Sequence, residues 1–481
     1  MSSTRVAVVG GGISGLTAAY RLRILLGPSA EIILIEGSRR LGGALRTVEL
    51  GGLALDVGAE AFLVRRPEAL DLIEELGLGG QLRHPTPAAP AVRAGGQTMP
   101  LPTGTMMGVP GAAADVAGLL SAQGAALVAA EPTMPLCWEP KRDVAVGRFL
   151  RERAGDELVD RLVDPLLGGV YAGRADALGL RATLPAVATA LDHGAGSLLA
   201  AARTALAAGR LPTGGGRPAV FGTLSGGLSG LVEALVAGAG VRPRLGLPVR
   251  RLSRTPQGWR LTLGPTNEEE HLHADAVVLA VPAPALRRLL ADPLPAASAA
   301  ADRVEVASSA VIGLALPLAA AQALPERSGV LVAATERLSV KALTFSGRKW
   351  THARSAEVLL VSASMGRHGE ARVLQRDDTE LVDAARADLA ALTGITATPV
   401  ATMVARWGGG LPQYAPGHLD VIAALEREVA GSAGLAVAGA ALHGVGLPAC
   451  IGTGDAAARR IAGYLNSRGA PAAARGGTMA S

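Results

Sequence analysis

Gly10, Gly12 and Gly15 stand at G-x-G-x-x-G spacing within Gly10-Gly11-Gly12-Ile13-Ser14-Gly15. At that spacing the first glycine allows a tight turn, the second lets the main chain approach a pyrophosphate, and the third lets a helix pack on a strand. Glu36 follows about 20 residues later, where a carboxylate accepts hydrogen bonds from a ribose. The chemistry is that of gripping a dinucleotide by its phosphates and its sugar. The flanks supply the elements this needs. Arg5-Val6-Ala7-Val8-Val9 reads as a short strand, Leu16 to Leu22 as an amphipathic helix, and Glu31 to Glu36 as a second strand ending in the acid. The unpaired N–H groups and the positive end of the new helix then face the phosphates.

Two more turns follow. Arg39-Arg40-Leu41-Gly42-Gly43-Ala44-Leu45-Arg46-Thr47 is a second glycine cluster, and Leu55-Asp56-Val57-Gly58-Ala59-Glu60-Ala61-Phe62 is a strand and turn. The first resembles the second glycine signature of the FAD-dependent superfamily of amine oxidases, phytoene desaturases and protoporphyrinogen oxidases. The second resembles the segment that passes the flavin ring there. FAD is thus the expected dinucleotide, in preference to NAD.

The length of 481 residues suggests roughly two to four domains. Hydrophobic residues at 49% and charged residues at 18% describe a folded chain, not a disordered one. Aromatic residues are only 2%, so the core must be built from Ala, Leu and Val. The formal charge of +5, without Lys/Arg runs, is wrong for a nucleic-acid binder but would help collect an acidic small molecule. Cys137 and Cys450 form no C-x-x-C, which excludes a disulfide framework and fits a reducing cytoplasm. His271 and His273 alternate on a strand with no third ligand nearby, so no metal site is expected. The first strand begins too early for a signal peptide, and no stretch reads as a transmembrane helix.

In chain order, Pro67 to Leu78 reads as a helix and 95–102 as a hairpin. Residues 111–208 read as mostly helical, interrupted at Gly168-Gly169-Val170-Tyr171-Ala172-Gly173, either a plain loop or a place where backbone approaches a flat ligand. A Gly/Pro linker fills 209–217. Val241 to Leu252 is extended, Trp259 to Leu263 pairs with His271 to His273, and Asp275 to Val281 returns to a parallel sheet. Strands at 309–316, 329–333, 340–346 and 357–364 and a helix at 378–393 suit the floor of a pocket. Leu435 to Ala440 is a strand, Cys450 to Leu465 a closing helix, and the Gly/Ala-rich tail after Asn466 is unstructured.

The second glycine turn, Leu101-Pro102-Thr103-Gly104, Gly169-Val170-Tyr171-Ala172-Gly173, Trp407, Pro412-Gln413-Tyr414 with Gly417-His418, and Gly444-Val445-Gly446-Leu447-Pro448 occur in one order. Together they resemble the oxygen-dependent porphyrinogen oxidases of haem synthesis over nearly the whole chain. The resemblance implies an α/β fold with a Rossmann-like FAD domain of p-hydroxybenzoate-hydroxylase type, a mixed-sheet substrate domain and a helical, membrane-associating insertion. The FAD domain would comprise 1–84, 218–286 and 428–466; the substrate domain 85–110 and 287–427; the helical domain 111–208; and the flexible tail 467–481.

It further implies a reduced tetrapyrrole as substrate, FAD as acceptor, O2 as reoxidant and hydrogen peroxide as product, with no catalytic acid–base residue required of the protein. The FAD contacts it implies are Gly10, Gly11, Gly12, Ile13, Ser14, Gly15, Glu36, Arg40, Gly42, Gly43, Gly58, Ala59, Glu60, Ala61, Val249, Trp407, Val445, Gly446 and Leu447. Met106, Gly169, Leu331 and Met365 would line the substrate pocket. Met106 stands where the protoporphyrinogen branch carries a propionate-anchoring arginine, and Met-Gly-Val-Pro resembles the Gram-positive branch that oxidises coproporphyrinogen III. Arg93, Arg348, Lys349 and Arg367 are the cations considered for the propionates. Protoporphyrinogen IX is the alternative substrate, and a flavin amine oxidase or a non-catalytic flavin protein are the more distant readings. A cytoplasmic location with peripheral membrane contact and delivery of product to the next enzyme of haem synthesis follow from the same resemblance, with monomer and homodimer both left open.

Overall fold

The computed structural model describes residues 4–208 and 219–469. Four parallel strands form the sheet behind the glycine turn, in the order Glu31–Ile35, Arg5–Val9, Ala276–Leu279, Leu435–Val437. One sheet is thus assembled from both ends and the middle of the chain. Apart from Arg5 and Glu31 at the strand starts, its strands are apolar because both faces are covered. Alternate residues of the first strand show this. Val6 and Val8 pack with Leu16, Leu22, Leu231 and Ile461 from the helices on one face. Ala7 and Val9 pack with Leu252, Trp259, Leu286 and Leu425 on the other.

A seven-stranded sheet forms the second layer, in the order Ala401–Pro412, Val306–Pro317, Val358–Met365, Val340–Thr344, Gly329–Val332, Pro90–Ala94, Gln97–Pro100. Only Gly329–Val332 and Pro90–Ala94 run parallel, so the early hairpin is stitched onto a sheet made later in the chain. The helix Asp378–Thr393 covers one face of this sheet. It is started by Asp377, which caps Glu380 N–H at 2.8 Å while Glu380 reaches back.

The third layer is helical. Val146–Ala154, Asp164–Tyr171, Pro185–Asp192 and Leu198–Ala208 surround a core of Leu150, Leu162, Leu167, Val187 and Leu198. A widened turn at Val159–Val163 leads into the helix Asp164–Tyr171. The architecture is therefore mixed α/β with a helical insertion.

Several boundaries move. The helix Asp164–Tyr171 passes through Gly168 and Gly169 and stops only at Ala172, in the left-handed region at φ 50° with its N–H on Gly168 O. The glycines are helical because their neighbours Leu167 and Tyr171 are buried, which outweighs the poor helix propensity of glycine. The helix from Pro67 ends at Glu75, and in the 241–252 stretch Arg244 makes a single parallel bridge to Ile35 before the continuous strand starts at Val249. The strand Leu435–Val437 ends before Ala438, and the closing helix spans Leu447–Gly469, so 467–469 of the expected tail are helical. The Gly/Pro linker at 209–217 and the tail beyond 469 lie outside the described residues. Among the described residues no helix is long and apolar enough to cross a membrane, and no cluster of His, Cys, Asp and Glu could hold a metal ion.

Candidate cofactor and substrate site

The two glycine turns are pressed against each other. Gly42 N–H donates to Gly11 O at 2.8 Å, beside the start of the helix Ile13–Leu26. The glycines do different work. A Cβ at Gly15 would lie 1.9 Å from Gly10 O, so Gly15 sets the packing of helix on strand. A Cβ at Gly12 would meet only Gly43 Cα, at 3.9 Å, so Gly12 keeps space open for something else. Glu36 is aimed by the backbone. Its Oε2 accepts Gly11 N–H and its Oε1 accepts Ser38 N–H, both at 2.7 Å, which leaves outward lone pairs for ribose hydroxyls.

A cavity of about 430 Å³ runs from this corner across the sheet's edge. Of the FAD residues expected from sequence, Gly10, Gly12, Ile13, Ser14, Glu36, Gly42, Gly43, Ala59, Val249, Val445 and Leu447 line it. The helices Ile13–Leu26 and Leu447–Gly469 both begin at its wall, placing two sets of free N–H groups there. An elongated, mainly apolar cavity with a phosphate-type cradle and a ribose-type carboxylate at one end fits a dinucleotide that carries a flat ring.

The remaining expected contacts stand behind the wall or face elsewhere. Gly11, Gly15, Ala61 and Gly446 do not line the cavity. Arg40 braces the second turn, donating to Gly43 O at 2.8 Å and Leu41 O at 3.1 Å, and lies over the Trp407 ring. Trp407 in turn donates to Val57 O at 2.8 Å. A Cβ at Gly58 would come 2.0 Å from Ala44 O and 2.9 Å from Trp407, so this trio closes up only around a glycine. Glu60 turns to the substrate layer, where it accepts from Trp350 Nε1 at 2.7 Å and Lys349 Nζ at 2.9 Å. Sequence reasoning missed Pro248, Val281, Gly409, Gly410 and Ala440 on the cavity wall. These come from segments far apart in the chain, and only the sheet order brings them together.

Cys450 also lines the cavity. Burial pushes its thiol up to about 11, so at neutral pH it is protonated and a poor nucleophile. This favours a non-covalently held ring.

The Pro412-Gln413-Tyr414 motif joins the layers. Gln413 donates to Tyr171 O at 2.8 Å, on the helical layer. Tyr414 donates to Ala440 O, on the nucleotide layer, and stacks on His418 at 4.0 Å between ring centres. Burial pushes both phenols, Tyr171 and Tyr414, above their ordinary value, so they act as neutral donors and packing groups.

On the substrate side, a Cβ at Gly169 would sit 3.4 Å from Leu331 Cδ2. Met106 and Leu331, both half-buried, pack on the same helical core as Val445 of the cofactor cavity. Gly169 and Leu331 thus meet, and Met106 joins the same helical core as Leu331. Met365 does not. It is fully buried on the opposite face of its strand, paired with Ala310 and Val340 in the core under the helix Asp378–Thr393. Strand alternation places it there, since Ser364 takes the other face.

The four cations considered for the propionates also separate. Arg93 pairs with Glu336 at 3.2 Å, Arg348 with Glu326 at 3.8 Å, and Lys349 with Glu60. Arg367 is buried, donates to Val332 O at 2.9 Å and has no carboxylate at ion-pair distance among the described residues.

A strand–turn–helix phosphate cradle, an acid at the ribose position and one long cavity between two glycine turns define an FAD-dependent oxidoreductase. Comparison with known proteins agrees. The pattern of the flavin containing amine oxidoreductase family matches residues 13–462. The chain is 45% identical to coproporphyrinogen III oxidase of Mycobacterium leprae, over 96% of this chain and 98% of the relative. It is 43% identical to that of Mycobacterium tuberculosis, over 97% and 99%. A solved structure from Exiguobacterium sp. 255-15, provisionally named protoporphyrinogen oxidase, superposes with a TM-score of 0.83 at 31% identity, covering 96% of this chain and 99% of that one. The chain belongs to the flavin-containing amine oxidoreductase family and, within it, to the porphyrinogen oxidases.

Proposed function

We propose that the protein oxidises coproporphyrinogen III to coproporphyrin III in the cytoplasm, with FAD as cofactor and O2 as final acceptor, and passes the product to the next enzyme of haem synthesis. The observation that carries this reading is the full-length likeness to relatives named for that reaction. The bound FAD supplies the two-electron acceptor and the route to O2, so hydrogen peroxide is the by-product.

The chain's own part is placement. Gly12, the second glycine turn and the two helix starts hold the pyrophosphate, and Glu36 takes the ribose. Gly169 and Leu331, close enough that a Cβ on Gly169 would touch Leu331, form one wall of the substrate slot, kept flat for a macrocycle by the missing side chain. Met106 gives that slot an apolar wall. Arg40, Gly58 and Trp407 fix the wall from behind, and the protonated Cys450 leaves the ring unmodified.

Mixing the yellow holoenzyme with coproporphyrinogen III without oxygen is expected to bleach it. Admitting O2 should restore the colour and release hydrogen peroxide. The variant Gly169→Phe should bind FAD normally and stay yellow in the same mixture, because the ring fills the slot. A wild-type protein that keeps its colour, or a Gly169→Phe variant bleached as fast as wild type, would refute the reading or the slot respectively.

A further inference from the structure

Lys341 lies in the strand Val340–Thr344 and plays no part in the site described so far. Val340 pairs with Met365 and Ala342 with Ser364, so Lys341 is the extra residue of a β-bulge. Bulges re-aim side chains and recur beside functional sites. Lys341 is 5% exposed, yet it has no hydrogen bond and no ion pair among the described residues. Arg367, 8% exposed, is close enough for the two charges to repel. The nearest carboxylates are committed elsewhere. Glu370 pairs with Arg174, and Asp164 accepts Ala175 N–H at 2.8 Å. A buried ammonium and guanidinium with no anion between them are costly unless an anion arrives.

The place is informative. Leu331 pairs with Ala342, the residue after Lys341, and Arg367 donates to the carbonyl of Val332, the residue after Leu331. The helix carrying Gly169 packs on both strands. We propose that Lys341, with Arg367 beside it, receives a carboxylate of the substrate at the inner end of the Gly169–Leu331 slot. The identity of that carboxylate, a propionate of the tetrapyrrole, rests on the function proposed above.

In the free protein the ammonium is a burden. Burial, and then the charge of Arg367, push the Lys341 pKa down to about 8, with Glu370 opposing. Asp164 from the neighbouring helix acts on Arg367. From the other face, Asp388 is engaged with the N–H groups of Ser339 and Val340. A folded-state pKa below the unfolded one means a penalty that is complete below pH 8 and fades as pH rises toward the ordinary lysine value.

The test uses holoenzyme of wild type, Lys341→Met and Lys341→Arg. Their fluorescence is titrated with coproporphyrin III and with its tetramethyl ester, alongside KM, kcat and Tm. Lys341→Met should bind the free acid about tenfold or more weakly, bind the ester as wild type does, and raise KM with little change in kcat. Lys341→Arg should restore most of the acid binding. Without ligand, Lys341→Met should melt higher than wild type at neutral pH, and that gain should shrink above pH 8. Unchanged acid binding in Lys341→Met, equal losses for acid and ester, or a lower Tm at neutral pH would each overturn the proposal. Should wild type turn over no porphyrinogen, the functional reading falls by itself. Acetate then decides the anion site, supporting it by raising the Tm of wild type but not of Lys341→Met, and refuting it by raising both or neither.

Discussion

Gly12→Val is expected to give a folded, colourless protein. Gly12 has φ −75° and ψ 176°, a backbone conformation open to any residue, and a Cβ there meets nothing closer than 3.9 Å. The protein therefore accepts the side chain. The pyrophosphate cannot, because the valine methyl groups occupy its path between the two glycine turns. Loss of cofactor, and with it all activity, follows without loss of fold. Gly15→Val should behave differently, since its Cβ would collide with Gly10 O at 1.9 Å and force the helix Ile13–Leu26 off its strand. The check is the ratio of flavin to protein absorbance beside circular dichroism. A yellow, stoichiometrically loaded Gly12→Val protein would remove the phosphate cradle from this turn.

The second large effect concerns the scaffold of the substrate slot. Glu131 is 0% exposed and Arg153 7% exposed, and they pair at 2.6 Å. Glu131 also accepts Leu198 N–H at 2.8 Å and Leu199 N–H at 3.1 Å, so it caps the start of the helix Leu198–Ala208. Arg153 donates in addition to Pro135 O at 3.0 Å. Glu131→Ala leaves a buried guanidinium without its counter-charge and two helix N–H groups without an acceptor. Breaking a buried pair from one side costs ~3–5 kcal/mol. The expected result is a marked fall in the melting temperature of the holoenzyme, with the helical layer losing protection from hydrogen exchange first. A fall equivalent to less than about 1 kcal/mol, the usual worth of an exposed pair, would show that the charge is solvated.

Sequence legibility follows the range of the interactions. The phosphate cradle is written in fifteen consecutive residues, and its strand, turn and helix form as read. The pairing of Trp259 to Leu263 with His271 to His273 was equally plain, because adjacent strands with a short connection find each other locally. The strand Ala401–Pro412 leaves no such local mark, since its Gly408-Gly409-Gly410 run has poor strand propensity, yet pairing with Val306–Pro317 absorbs it through a register shift at Ala307 and Ser309. Met365 enters the expected pocket only through the resemblance of the middle-domain strands to the family, whereas the alternation Ser362-Ala363-Ser364-Met365 puts its side chain in the core under the helix Asp378–Thr393. Lys341 carries no sequence signal, since no sequence pattern marks a bulge. Glu60 resembled a flavin contact by position in its motif, but Trp350 and Lys349, nearly 300 residues away, claim its carboxylate.

Substrate choice turns on the propionates. Met106 cannot form the bidentate, charge-assisted pair that an arginine makes with a propionate. Losing such a partner costs ~1.5–3 kcal/mol, roughly ten- to a hundred-fold in binding. Protoporphyrinogen IX has few other charges with which to recover it, whereas coproporphyrinogen III, richer in propionates, can use Lys341 and Arg367. The deciding measurement is kcat/KM for the two porphyrinogens, read by porphyrin fluorescence in matched detergent and salt. A clear preference for coproporphyrinogen III is expected, with its KM rising more steeply as salt is added. An equal or higher kcat/KM for protoporphyrinogen IX would contradict the account.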